Sequence, residues 1–324
     1  MNSPFVCLIA FTGTLPFLLI NNPLLHRAQS DPVQATPSGQ SVSRVPEGVI
    51  LVKGASPSAS DSVTPLPEDA RIEGNVFEDP YFRMSFRLPP GWTEKYKGPP
   101  PSENGRYVLA ELTPANAASA RSSGSILVTA EDMFFEPLPI TNAPDVIRFE
   151  IAHLQDDYKI EHPPQEIQLG SRRFSTFAYG SPSAQLHWRV LATQIRCHAI
   201  EIILAGNDPS FIDSVVYGLD KMKLPAEEGT TGGGPFPVCL KDYASGVNLL
   251  RRVEPVFTEH RFNPVPVRII IDRTGAIKHI HLLSAFPDQA RAITDALAQW
   301  RFKPFIVNGQ PAEVETGILF GSPR

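Results

Sequence analysis

Histidine is the residue type whose spacing comes closest to a chemical site in this chain. Eight histidines occur in 324 residues, and none belongs to an HExxH pair. His279 and His281 stand two apart in a strand-like run, so both imidazoles lie on one face and are geometrically able to share a metal ion. The spacing supplies no third ligand from Cys, Asp or Glu. We therefore interpret the pair as an exposed strand face and predict no metal site.

Nucleophile and acid–base motifs are equally incomplete. Residues 180–184 read Gly-Ser-Pro-Ser-Ala, which approximates the G-x-S-x-G pattern of hydrolases but ends in alanine. Residues 156–157 and 227–228 are pairs of adjacent carboxylates, and adjacent side chains on a helix do not face each other. The glycines at 232–234 lack the Lys-Ser/Thr of a phosphate-binding loop. We predict a non-enzymatic protein without catalytic residues or cofactor. An enzyme of unknown class remains the third hypothesis.

Two cysteines, Cys197 and Cys239, remain once an N-terminal leader that contains Cys7 is removed. Such a pair in an exported chain permits a disulfide between the end of one folded module and the start of the next. Two separate buried thiols are the alternative, because spacing does not show whether the Cα atoms approach each other. Neither cysteine belongs to a CxxC motif, which argues against a redox or zinc site.

Charge and composition restrict the class of partner. The net charge is −5 and no cluster of five basic residues occurs, so the sequence lacks the electrostatic pattern of a nucleic-acid-binding protein. The chain is also rich in proline, with 33 residues that concentrate between the apolar runs. They mark turns and linkers.

The first 30 residues predict export. An apolar run over residues 5–20 is followed by small residues up to Ser30, which is typical of a secretory signal peptide. The alternative is an uncleaved inner-membrane anchor, although a run of about 16 residues is shorter than the roughly 20 that a spanning helix needs. We expect a periplasmic protein that associates with a membrane only if the leader is uncleaved.

The rest of the chain divides by composition into two modules and two connecting segments. Residues 31–70 are rich in proline and serine and predict a disordered tether. Apolar periodicity predicts a first module over residues 71–224 and a second over 238–324. Residues 225–237 carry glycines and prolines and predict a flexible linker. The predicted fold class is α+β in both modules.

The first module predicts an antiparallel sheet with two helices. Alternating apolar residues mark strands, and Pro144-Asp145 and Asp208-Pro209 mark two helix starts. The segment Pro-Tyr-Phe-Arg-Met-Ser-Phe-Arg-Leu-Pro-Pro-Gly-Trp at 80–92 and the strand-then-helix at 201–222 resemble the PsbP/Mog1-like fold. That resemblance implies a binding or accessory role more often than catalysis.

The second module predicts the order strand, strand, helix, strand. Residues 267–272 and 277–283 are two strands, and Gly275 supplies the positive φ of the turn between them. Pro287-Asp288 opens an amphipathic helix, which Pro304 ends. A last apolar run, 314–319, predicts the closing strand. This small β-β-α-β domain completes the predicted fold.

Four motifs in this module share their order and spacing with a known family. They are Ile-Asp-Arg-Thr-Gly-Ala-Ile (271–277), Leu-Leu-Ser-Ala (282–285), Trp-Arg-Phe-Lys-Pro (300–304) and Ile-Leu-Phe (318–320). Together they resemble the C-terminal domain of the TonB energy-transducer family over residues 238–321. Val-Glu-Pro-Val-Phe at 253–257 is similar to that family's short opening motif, in which Tyr-Pro usually stands where this chain has Phe257-Thr258.

The TonB resemblance implies that the last strand binds a receptor peptide by strand addition. The matching positions are Val314, Glu315, Thr316, Gly317, Ile318 and Leu319, with Glu254, Pro255, Val256 and Phe257 nearby. We therefore predict a cell-envelope protein that binds an envelope protein or receptor peptide and is accessory to transport. The alternative is an energy transducer for outer-membrane transport. The leader without basic residues, the uncharged tether and the additional module argue against that alternative.

Overall fold

The structure, a computed structural model, describes the two predicted modules but not the N-terminal leader. The described residues are 55–96, 105–115, 124–135, 141–226, 236–259 and 263–321. They all belong to one compact unit. The predicted leader, the first part of the tether and residues 227–235 of the predicted linker lie outside the described residues. Among the described residues, no helix has the length and apolar character that crossing a membrane requires.

The first module contains a seven-stranded antiparallel sheet and two helices, as predicted. Its elements, with one short strand and a 3-10 turn before it, are β1 (Ser56–Ala59), the 3-10 turn (Pro67–Asp69), β2 (Arg71–Glu73), β3 (Val76–Asp79), β4 (Met84–Arg87), β5 (Trp92–Tyr96), β6 (Arg106–Pro114), β7 (Gly124–Asp132), α1 (Ala143–Ala152), β8 (Lys159–Leu169), β9 (Arg172–Ser181), β10 (Leu186–Ile195), β11 (His198–Gly206) and α2 (Pro209–Leu219). The sheet order is β5-β6-β7-β11-β10-β9-β8, and β2, β3 and β4 form a separate small sheet.

The two helices cover opposite faces of the seven-stranded sheet. On α1, Ile147 packs against Phe177 and Trp188 of the sheet. On α2, Ile212 and Leu219 pack into the core of the other face. The predicted helix starts are confirmed, because Asn142 and Asp208 each accept a backbone hydrogen bond as N-caps.

The second module forms a five-stranded sheet with one helix. Its elements are β12 (Val238–Cys239), β13 (Leu249–Arg251), β14 (Val265–Ile271), β15 (Ile277–Ala285), α3 (Pro287–Leu297), β16 (Arg301–Phe302), β17 (Phe305–Val307), β18 (Gln310–Ala312) and β19 (Val314–Phe320). The sheet order is β1-β15-β14-β19-β12. The predicted order strand, strand, helix, strand corresponds to β14, β15, α3 and β19. Gly275 has a φ of 86°, as the predicted turn requires.

This second sheet is buried on both faces. Val267, Ile269 and Val314 pack with Ile293 of α3 on one face. On the other face Leu283 joins the main core of the first module. A strand covered on both sides loses the polar alternation of a half-exposed strand, which explains why every residue of β14 is buried.

The predicted tether is wrong for residues 55–70, which are folded. β1 pairs antiparallel with β15, and the amide of Ser60 donates to the carbonyl of Ile280 at 2.8 Å. Ala70 is fully buried in the main core. A segment with few apolar residues orders here because the edge of β15 offers it a ladder of unpaired backbone groups. Composition alone contains no information about that edge.

Candidate functional site

The predicted peptide-binding strand, β19, is only partly an edge. On one side it pairs with β14 over its whole length. On the other side β12 pairs with it in parallel, matching Val238 with Val314 and Cys239 with Glu315. The prediction of an open edge from Val314 is therefore wrong for its first two residues. Among the described residues the ladder on that side stops at β12, which leaves the open segment Thr316–Phe320.

Backbone alternation decides which groups of the open segment face outward. The amides of Val238 and Leu240 donate to the carbonyls of Glu313 and Glu315 at 2.8 and 3.1 Å. Alternate residues of a strand direct their backbone groups to the same side. The N–H and C=O groups of Gly317 and Leu319 therefore face the open side, while those of Ile318 face β14.

A cavity of about 440 Å³ lies at the end of the open segment. It is lined by Phe257, Thr258, Glu259, Asn263, Val265, Gln289, Phe320 and Gly321. Asn263 and Gln289 exchange side-chain amide hydrogen bonds at 3.3 Å in its wall. Of the predicted opening motif, Val256 and Phe257 remain exposed, at 83% and 42%. The structure thus brings Phe257 and the end of β19 to one cavity.

The remaining residues of the predicted opening motif contribute less to this cavity. Glu254 forms an ion pair with Arg252 at 2.6 Å, and both side chains are exposed. Pro255 is half-buried. Neither residue lines the cavity, so of this motif only Phe257 does.

Glu315 has a different role from the predicted one, because its side chain points away from the strand edge. Arg196 donates through Nε to its Oε2 at 2.9 Å, and the hydroxyl of Tyr81 donates to its Oε1 at 2.9 Å. Nη2 of Arg268 lies 3.3 Å from Oε1. Burial alone would raise the pKa of Glu315, but Arg196 and Arg268 lower it to about 2. The carboxylate is ionised in the folded protein at neutral pH.

Asp132 completes this buried cluster from the first module. Its Oδ2 lies 2.5 Å from Nη1 of Arg268 and 3.7 Å from Nε2 of His198. Burial raises the pKa of Asp132, although Arg268 opposes that rise. Burial and the adjacent Arg268 hold the pKa of His198 well below its usual range. The interface cluster (Tyr81, Asp132, Arg196, His198, Arg268 and Glu315) therefore joins the two sheets through alternating charges.

One residue in the sequence indicates that such a buried cluster exists. Arg268 interrupts the apolar run of β14, and a charged residue in a doubly buried strand requires a buried partner of opposite charge. The partners, Asp132 and Glu315, could not be assigned from sequence because neither is near Arg268 in the chain.

The two histidines predicted to form an exposed face are in fact buried, so that interpretation is wrong. His279 Nδ1 lies 2.7 Å from Asp61, and His281 Nε2 lies 3.3 Å from Glu68. Each imidazole has its own acidic neighbour from the folded N-terminal segment. Among the described residues no group of three metal-ligating side chains occurs. The pair stabilises the docking of residues 55–70.

The permitted disulfide is present. Cys197 and Cys239 are bonded, with Cα atoms 5.7 Å apart. Cys197 and Arg196 form the turn between β10 and β11, and both have positive φ angles, 60° and 50°. Non-glycine residues in this region cost about 1–2 kcal/mol each. The disulfide and the ion pair with Glu315 hold them there.

A second buried acidic group lies under α1. Arg106 is 3.7 Å from Glu201 and 3.8 Å from Glu131, and Thr129 donates to Glu201 at 3.2 Å. Burial raises the pKa of Glu201, and Arg106 partly offsets that rise. A carboxyl with a raised pKa is a feature of general acids, but this one is covered by a helix rather than facing a substrate cleft. It carries no catalytic proposal.

Comparison with known proteins adds little to this geometry. No family model and no curated protein matches the chain. One similar solved structure is the solution structure of cyanobacterial PsbP (CyanoP) from Synechocystis sp. PCC 6803. It has 17% sequence identity, covers 46% of this chain and 91% of that chain, and has a TM-score of 0.32. A likeness at this TM-score does not test the predicted PsbP/Mog1-like resemblance of residues 71–224, which stays a prediction. The TonB resemblance of residues 238–321 stays a prediction.

Proposed function

We propose that this protein is a non-enzymatic, exported component of the cell envelope that binds an extended peptide of an envelope partner by strand addition. The observation that carries the proposal is the open segment Thr316–Phe320, whose outward backbone groups lead to the cavity at Phe257. A peptide strand on that segment would continue the ladder past β12. The side chain at the end of the bound peptide would enter the cavity.

The contrast with another sheet edge supports this choice. β8 is the outer strand of the seven-stranded sheet, and nearly all of its residues are exposed. It carries Pro163, Pro164 and several charged residues, which protect an edge from pairing with another chain. The open segment of β19 reads Thr-Gly-Ile-Leu-Phe and has neither prolines nor charges. It lacks the protection that the chain provides at β8.

The expected affinity follows from the small size of this site. The N–H and C=O groups of Gly317 and Leu319 would form up to four hydrogen bonds with the peptide, worth about 1 kcal/mol each. Burying one apolar side chain in the cavity adds about 2 kcal/mol. After the cost of ordering the peptide, we expect a dissociation constant of about 10⁻⁴ to 10⁻³ M. Binding in this range suits a transient envelope contact.

Titration of the full chain with a capped heptapeptide, Thr-Val-Thr-Phe-Thr-Val-Thr, tests the proposal by NMR. We expect chemical-shift changes at Gly317, Leu319 and Phe257. The matched control peptide is N-methylated at alternate amides on its pairing edge and should not bind. Absence of chemical-shift changes at these residues at about 5 mM peptide, roughly 5-fold above the weakest expected dissociation constant, would contradict the proposal.

A pair of variants at one position separates backbone from side-chain recognition. Leu319→Pro removes an outward amide without removing a hydrogen bond to β14, so it should weaken peptide binding at least 5-fold. Leu319→Ala keeps the amide and should bind within about 2-fold of the natural chain. Ile318→Pro is unsuitable, because its amide faces β14 and the change would damage the fold. Equal binding by both Leu319 variants would exclude pairing at this edge.

The alternative hypothesis of energy transduction depends on a membrane-embedded leader. The residues concerned, 1–30, lie outside the described residues. N-terminal sequencing of the mature protein tests it, since cleavage near Ser30 would remove the anchor that such a transducer requires.

A further inference from the structure

The strand β12 covers part of the same edge that the proposed peptide would use. Val238 and Cys239 pair with Val314 and Glu315, directly before the open segment. β12 also shows that this edge accepts an added strand in parallel orientation. The partner edge of β19 would extend over all seven residues, Val314–Phe320, if β12 were absent.

Few hydrogen bonds hold β12 in place, while Phe236 and Leu240 on either side of it pack against the two cores. The amides of Val238 and Leu240 each donate one backbone hydrogen bond to the β19 side, and the hydroxyl of Thr316 donates to the carbonyl of Lys241 at 3.1 Å. A two-residue strand is short compared with the usual strand of five or six residues. Its pairing with β19, as distinct from the packing of its neighbours, therefore depends on any additional constraint.

The disulfide is that constraint. Cys239 lies in β12 itself, and Cys197 lies in the turn between β10 and β11, which belongs to the first module. Cys197 is fully buried among Met133 and Phe134, whereas Cys239 is half-buried. Cys239 is the more exposed residue of the pair, so we expect a reductant to attack its sulfur.

We infer that β12 is a disulfide-held cover, and that reduction of Cys197–Cys239 lengthens the docking edge of β19 from Thr316–Phe320 to Val314–Phe320. This inference rests on the proposed function. The chemistry requires a dithiol reductant. One thiolate of the reductant attacks Sγ of Cys239, and Cys197 leaves as a thiolate that takes up a proton. The second thiol of the reductant then releases Cys239 as a thiol, and the reductant becomes a disulfide.

Hydrogen exchange of the full chain, measured with and without dithiothreitol, tests the cover independently of any peptide. Reduction should accelerate exchange of the Val238 and Leu240 amides at least 10-fold. Exchange of the Val267 and Ile318 amides, which lie within the β14–β19 pair, should change less than 2-fold. The Cys197→Ser/Cys239→Ser variant should behave as the reduced protein does.

Peptide titration of the same samples tests the consequence. The heptapeptide Thr-Val-Thr-Phe-Thr-Val-Thr should bind the reduced chain at least 3-fold more tightly than the oxidised chain. If the reduced chain loses its fold, Val238→Pro in the oxidised chain serves instead, since it removes one hydrogen bond of β12 and keeps the disulfide. That variant should also raise the affinity.

The outcomes separate the two proposals. The cover is overturned if reduction leaves exchange of the Val238 and Leu240 amides unchanged, or if it accelerates their exchange without changing the peptide affinity. In either case, peptide binding by the oxidised chain leaves the proposed function intact. No binding in either state overturns the proposed function, and this inference with it. Faster exchange together with tighter binding supports both.

Discussion

Replacing Glu315 by glutamine provides the most informative test of the interface cluster. The substitution keeps the size of the side chain and removes its charge, so Arg196 loses the carboxylate that it contacts at 2.9 Å and Arg268 the one at 3.3 Å. Removing one partner of a buried ion pair leaves uncompensated charge and typically costs about 3–5 kcal/mol. We expect Glu315→Gln to lower the free energy of unfolding by that amount at pH 7.

The pH dependence gives an independent estimate of the same interaction. The pKa of Glu315 is about 2 in the folded protein, against an ordinary value of 4.5. Because the ionised carboxylate is favoured in the folded state, it stabilises the fold fully above pH 4.5. This contribution, about 3 kcal/mol, is lost as the pH falls from 4.5 towards 2. Asp132, whose pKa burial raises, acts in the opposite direction, and the charge of Glu315 adds to that rise in the natural chain.

Urea denaturation at pH 7, 5, 4 and 3 measures this difference. Glu313→Gln is the matched control, because Glu313 belongs to an ion pair with Lys278 at 2.6 Å that is partly exposed. Such pairs contribute about 1 kcal/mol or less. The difference in free energy of unfolding between the natural chain and Glu315→Gln should become smaller below pH 4.5. A difference that is no larger than the one caused by Glu313→Gln, or that does not depend on pH, would refute the reasoning.

Two further predictions concern packing and docking. A Cβ on Gly317 would lie 2.8 Å from Cβ of Phe134, so Gly317→Ala should lower the free energy of unfolding by about 1–3 kcal/mol, measured by thermal denaturation. Gly218 in α2 has open space around it and is the control. Gly218→Ala should be neutral or stabilising by up to about 1 kcal/mol. Asp61→Asn removes the charged partner of His279 and should accelerate exchange of the Ser60 amide in the β1–β15 pair; unchanged exchange would show that the contact does not hold β1.

Local patterns were sufficient to predict most secondary structure. The cap residue Asp208, the turn at Gly275 and the alternation of β4 each depend on neighbours within a few positions. The pairing of Cys197 with Cys239 was left open by the sequence and decided by the fold. The contact between Tyr81 and Glu315 joins residues 234 positions apart, and nothing in either local pattern indicates the other. The predicted open edge of β19 is shorter in the structure, because β12 pairs with Val314 and Glu315.

The sequence by itself determined one buried face for elements such as β4 and α2, because a period of two or 3.6 residues records which side chains avoid water. Only the tertiary structure decided whether the other face is buried too. Arg268 is buried where the first module packs on the second sheet, and His279 and His281 are buried where residues 55–70 dock. Both contacts depend on residues distant in the chain. The tertiary structure also decided which part of β19 stays open, because β12 pairs with Val314 and Glu315 and leaves Thr316–Phe320 uncovered on that side.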